Sequence, residues 1–135
     1  MKITLIMLLC LMSCAESHIV KDLERCTVSR VIDGDTFICD DTRVRLAGVD
    51  APELDEYYGQ ESYDVLKEMI DDKVVWLDIT GKGYYGRTIA YVGSVNKYLV
   101  ENGYAKNSSF EHKYSEHYSY YQAGAKRHQK GIWAY

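Results

Sequence analysis

Residues 27–49 read TVSRVIDGDTFICDDTRVRLAGV, and their alternation decides the fold. Val28, Arg30 and Ile32 alternate with Ser29 and Val31, the period-two pattern of a strand with unlike faces. Asp33-Gly34-Asp35 then supplies a tight turn. Thr36 to Cys39 returns, Asp40-Asp41-Thr42 turns again, and a third strand follows with Arg43 and Arg45 on one face and Val44 and Leu46 on the other. Three short strands in a meander leave sheet edges that must be covered or closed, so the stretch points to a small barrel rather than a doubly wound sheet.

Outward from this meander the order continues as helix, two strands, two helices. A helix begins near Gln60, with Tyr63, Leu66, Met69 and Ile70 at helical spacing. Residues 74–79 and 87–92 read as the fourth and fifth strands, separated by a Gly81-Lys82-Gly83 loop. Asn96 is placed to cap a short helix that stops at Gly103. A last helix spans residues 115–129, after which Ile132 and Trp133 pack back on the core. Tyr114, Tyr118 and Tyr121 either cover the barrel at helical spacing or offer rings to nucleobases. Lys126, Arg127 and Lys130 complement the dipole of that helix's end. His18, His112, His117 and His128 share no ligand spacing and read as surface residues.

With 135 residues the chain has room for one core. A formal net charge of −4 argues against a general nucleic-acid binder, so any such function needs positive charge concentrated at a site. Residues 3–12 are apolar except for Thr4 and follow Lys2. As a helix they would span about 15 Å, half of a hydrocarbon core of roughly 30 Å, which is the pattern of a secretory signal rather than a membrane span. Their end, Leu11-Met12-Ser13-Cys14, resembles the lipobox of bacterial lipoproteins, with Cys14 as the lipidated residue and the membrane as its partner. Cleavage after Ala15 would instead give a freely secreted protein. The expected organisation is a signal at 1–15, a polar tether at 16–26 and a folded domain at 27–135. Export permits a disulfide between Cys26 and Cys39. A regular turn at Gly34-Asp35 would place Cys39 opposite position 30, roughly 13 Å along the strand from Cys26. A bridge tolerates roughly 7 Å between Cα atoms. A bulge or strong coiling would close the gap, and both the bridge and two buried thiols stand open.

The chemistry-bearing residues lie at strand ends. Asp35 and Asp50 are carboxylates that loops can bring together, and with a backbone carbonyl they make an oxygen cage suited to calcium. Arg45 can grip a phosphate, Glu53 follows Pro52 and can take a proton from water, and Arg87 follows Gly86, where the backbone can approach a ligand. Each alone has a bland reading: a hairpin turn, an exposed strand arginine, a loop glutamate.

Together, VIDGDTF, RVRLAGVDAPE, YGRTIAYV, LVENGYAK and KGIW stand in the order found in the staphylococcal nuclease family, which the chain resembles from about Thr27 to Trp133. That resemblance implies an α+β fold built on a five-stranded OB-fold barrel with about three helices. It implies a calcium-dependent endonuclease acting on DNA and RNA and leaving 3′-phosphate ends, working as a monomer. By position, Asp35, Asp50 and the carbonyl of Ala51 match the family's calcium ligands. Arg45, Glu53 and Arg87 match its catalytic residues, and Tyr85 a tyrosine near the substrate phosphate. The competing expectation is a barrel that binds nucleic acid or a protein without cutting. This chain departs from the family's pattern at Gly83-Tyr84, where an acidic-basic pair is usual, and after Lys106, where Phe110 alone stands for an aromatic pair.

Overall fold

The computed structural model describes residues 22–134. The expected leader with Cys14, His18 and most of the expected tether lie outside the described residues. Seven strands and three helices follow: β1 Glu24–Asp33, β2 Thr36–Cys39, β3 Thr42–Leu46, β4 Val49–Asp50, α1 Gly59–Ile70, β5 Val74–Lys82, β6 Thr88–Val92, α2 Val95–Glu101, β7 Lys106–Asn107 and α3 Ser115–Arg127. Five of the strands close a barrel in the order β1-β2-β3-β6-β5, an OB-fold, and β4 pairs with β7 in a small separate ladder. All the barrel pairings are antiparallel except β3 with β6.

The core is filled from the inward faces, with Val28, Phe37, Val44, Leu46 and Ala90 packed against Leu66 and Ile70 of α1 and Leu99 and Val100 of α2. Strand β1 departs from the plain alternation expected of it. Val28 and Val31 both point inward although three positions apart, and Arg30 is exposed. The cause is a pair of irregularities that insert extra residues into β1. Val28 faces Cys39, Arg30 faces Ile38, Val31 faces Phe37 and Asp33 faces Thr36. The bulges also coil the strand, so that its first half pairs with β5 and its second with β2.

This shift settles the cysteines. Cys39 lies opposite Val28 rather than position 30, and Cys26 and Cys39 form a disulfide with Cα atoms 5.7 Å apart. A separation of roughly 13 Å would hold only for an unbulged ladder. Closing a loop of 13 residues in the unfolded chain corresponds to roughly 2–4 kcal/mol of stabilisation. Replacing both cysteines by serine should therefore lower the unfolding free energy by that amount, read as a lower urea midpoint, without changing the native fold; an unchanged midpoint would show that the bridge adds no stability.

Other boundaries moved as well. β1 starts at Glu24, inside the stretch read as tether, and β5 runs on through Gly81 and Lys82, which were expected to be loop. Asn96 does not cap α2; Ser94 takes that position and Asn96 lies inside the helix, fully buried. Its Oδ1 accepts from the Val92 amide at 2.9 Å while its Nδ2 donates to the Ala47 carbonyl at 2.8 Å and the Ala90 carbonyl at 3.3 Å. One side chain thereby ties α2 to the ends of β3 and β6.

Candidate functional site

Asp35 sits in the turn that leads from β1 into β2, and its placement depends on Gly34. A Cβ at Gly34 would lie 2.7 Å from the Ala51 Cβ and 2.8 Å from the Ser62 Cβ, so only glycine lets this turn close against the residue after Asp50. The glycine serves close approach here, as its φ is not in the left-handed region. Asp35 is buried, and its Oδ2 accepts from the Ala51 amide at 2.8 Å while Oδ1 accepts from the Thr36 hydroxyl at 3.0 Å.

Arg45 joins the two aspartates. Its Nη1 lies 3.3 Å from Asp35 Oδ2 and its Nη2 3.3 Å from Asp50 Oδ1. Nη1 also donates to the carbonyls of Val49 at 2.8 Å and Leu46 at 3.0 Å, which fixes the guanidinium across the β3–β4 turn. Burial pushes the Asp35 carboxyl up to about 7, against the pull of Arg45 and the Ala51 amide and with the negative Asp33 adding to the rise. Glu53 is exposed in the loop after β4. Partial desolvation, and then the charges of Asp33, Glu56, Asp50 and Asp55, hold its carboxyl above the ordinary range. The carboxylates thus sense one another as a crowded acidic patch.

Arg87 enters from the other side. It follows a tight turn at Tyr84–Gly86 and donates from Nε to the Tyr84 carbonyl at 3.3 Å. Among the described residues Arg87 makes no ion pair, in contrast to the two made by Arg45. The parallel pairing of β3 with β6 puts Arg45 beside Ile89, two residues beyond Arg87. Both arginines line one cleft of about 890 Å³, with Lys82 and Lys113 as further cations and Glu111 as the acid among its walls. This concentrates positive charge locally in an acidic chain. Tyr85, at φ 62°, is fully exposed, and it is Tyr84 and Phe110 that line the cleft.

Sequence reasoning missed His112. It is half-buried and packs over Gly48, where a Cβ would fall 2.5 Å from the imidazole. Its Nε2 is 2.8 Å from Asn107 Oδ1, and its Nδ1 is 2.8 Å from the Tyr91 hydroxyl. Asn107 spends its amide nitrogen on the Ser115 carbonyl and the Ser119 hydroxyl, so its oxygen accepts and Nε2 carries the proton. Burial lowers the His112 pKa, consistent with this neutral tautomer. The ring braces the turn between Arg45 and Asp50 from below. Nothing in the spacing of the histidines marks this, because Tyr91 and Gly48 are remote in sequence.

The donor set suits a hard cation. Asp35 and Asp50 offer carboxylate oxygens and the Ala51 backbone adjoins them, donors of the kind a hard dication takes together with water. Among the described residues no three His, Cys, Asp or Glu side chains converge closely enough to hold an ion by side chains alone.

A family model described as "Staphylococcal nuclease homologue" matches residues 43–135, which include Arg45, Asp50, Glu53 and Arg87 but not Asp35. An uncharacterized endonuclease of Haemophilus influenzae is 34% identical over 125 residues, covering 84% of this chain and 68% of that protein. The thermonuclease of Staphylococcus hyicus is 35% identical over 125 residues, covering 79% of this chain and 74% of its own length. An endonuclease of Bacillus subtilis is 35% identical over 134 residues, 78% of this chain but 11% of that much longer protein.

Proposed function

The chain belongs to the staphylococcal nuclease family, and as a nuclease of that family we propose that it is a calcium-dependent phosphodiesterase, cutting DNA and RNA endonucleolytically and leaving 3′-phosphate ends. The observation that carries the reading is the meeting of Asp35, Asp50 and Arg45 in direct contact beside a cleft that also holds Arg87. Little sequence preference is expected, because cations that grip phosphates carry no base information.

Asp35, Asp50 and the Ala51 carbonyl are the groups that would hold calcium. Bound there, the ion supplies charge neutralisation at the phosphate and a more acidic water. Glu53, whose carboxyl is shifted upward, takes the proton from the attacking water. Arg45 and Arg87 donate to the phosphate oxygens as charge grows on them, a role for which the planar guanidinium suits better than an ammonium. The bond to the 5′ oxygen breaks, that oxygen takes a proton from solvent water to leave as a hydroxyl, and the phosphate stays on the 3′ side.

Digestion of single-stranded DNA by the chain starting at Glu16, with calcium and with chelator, tests this. Calcium-dependent cleavage is expected, and folded protein that cuts nothing in calcium would refute the reading. We further propose that the protein is exported, either lipidated at Cys14 or freely secreted, and acts as a monomer. The Cys26–Cys39 disulfide supports an oxidising compartment. For the lipid anchor, Cys14→Ser should abolish membrane association; unchanged fractionation would favour secretion.

A further inference from the structure

A second hollow, of about 560 Å³, lies between the outer face of β5 and β6 and the helix α3. That volume falls within the usual range for small-molecule sites. Its walls are unusually aromatic: Tyr91, Tyr114, Tyr118 and Tyr121, with Trp76 at the rim. Tyr118 is buried and packs its ring on Tyr114 at 5.8 Å, while Tyr114 meets Tyr91 edge-on at 4.9 Å. Tyr91, Tyr114 and Tyr118 thus form one contiguous cluster of rings. Trp76 is different. It alternates with the buried Val75 and Leu77, points outward, and is 52% exposed while lining the hollow.

The hollow neighbours the cleft of the arginines, with Tyr91 a wall of both. Cations accompany the rings. Lys97 Nζ lies 4.6 Å from the Tyr121 centroid, with only a long ion pair of 3.9 Å to Glu101. Lys113, paired with Asp78, lies over both Tyr91 and Tyr114 at the boundary of the two cavities. Aromatic faces interleaved with lysines along a groove are the means by which barrels of this kind hold unpaired strands, stacking bases on rings while cations follow the phosphates.

We propose that this hollow is an accessory subsite for a nucleobase of single-stranded nucleic acid, stacked on Trp76, on a strand that reaches it from the Arg45–Arg87 cleft past Tyr91. The inference rests on the nuclease reading and adds a length dependence to it: a short substrate fills only the cleft, whereas a longer one engages both cavities. A duplex, whose bases are already stacked, gains nothing from the hollow.

Tryptophan fluorescence tests this without requiring turnover. With calcium and the Glu53→Ala variant, a thymidylate strand of about twelve nucleotides should quench the emission and a dinucleotide should not. Trp76→Phe should remove the change, because the other tryptophan, Trp133, lies between Lys106 and Lys126 rather than at the hollow. In the otherwise native enzyme Trp76→Ala should raise KM for the long strand about tenfold, with kcat and the dinucleotide constants unchanged. Trp76→Phe should restore most of the affinity. No quenching, quenching by both lengths alike, or a KM for the long strand unaffected by Trp76→Ala would overturn the subsite. Quenching by the long strand together with no cleavage by the unsubstituted chain would leave the subsite standing and refute the nuclease.

Discussion

Arg87→Ala should lower the rate of single-stranded DNA cleavage by about 10²–10³ while leaving the barrel intact. The two arginines differ in what else they do. Arg45 is bonded to Asp35, Asp50 and two backbone carbonyls, so its removal strips a buried carboxylate of its counter-charge and disturbs the turn as well as the chemistry. Arg87 donates only to the Tyr84 carbonyl and makes no ion pair among the described residues. Its charge is uncommitted, and its loss should cost the fold about 0.5 kcal/mol or less. Lysine at this position should recover little, because it lacks the fork that holds two phosphate oxygens at once. Initial rates alongside a melting curve separate the two effects. A near-native rate for Arg87→Ala would show that the residue is not part of the chemistry, even if the protein cuts DNA.

Asn96→Ala should be the most destabilising of the polar-to-alanine changes, by about 3–5 kcal/mol. Asparagine at this position, fully buried, satisfies the Val92 amide and the Ala47 carbonyl, and the Ala90 carbonyl takes part too. Alanine leaves a donor and an acceptor buried without partners, each costing about 1–3 kcal/mol, and opens a void beside them. Against a total stability of typically about 5–15 kcal/mol, such a loss brings the domain close to unfolding. Asn96→Asp should fare no better, since it keeps the acceptor but aims a charge at two carbonyl oxygens. Urea unfolding measures this directly. A loss under about 1 kcal/mol would mean that water replaces the side chain, contrary to its full burial.

Much of this fold could be read from the chain because its first three strands are separated by Asp-Gly and Asp-Asp turns. Arg43 and Arg45 point away from Val44 and Leu46 as their alternation requires. What failed were features whose causes are remote in sequence. The bulges in β1 have no glycine or proline to mark them; the only local trace is that Val28 and Val31, three apart, are both valine. Once the bulges are present, the disulfide follows. Asn96 looks like a cap because asparagine often precedes a helix, but its partners Ala47 and Ala90 lie on strands that no local pattern connects to it. His112 was hidden for the same reason. For the site, residue type and order pointed to Asp35, Arg45 and Asp50, which the structure joins through Arg45, while nothing local marks Lys113 as part of the cleft wall.

The parallel pairing of β3 with β6 has a consequence for the unfinished chain. Arg45 is drawn to Asp35 and Asp50 by contacts within one meander, but Arg87 joins them only after α1 and β5 have been laid down and β6 has paired with β3, a ladder whose partners Val44 and Thr88 are far apart in sequence. Pairings of that kind come late, because the loop must be closed before any contact rewards it. On the proposed assignment, a chain still emerging from the ribosome, or held unfolded by a chaperone, would hold Arg45 with its two aspartates before Arg87 arrives. The topology keeps the hazard of a nuclease out of reach until the molecule is complete.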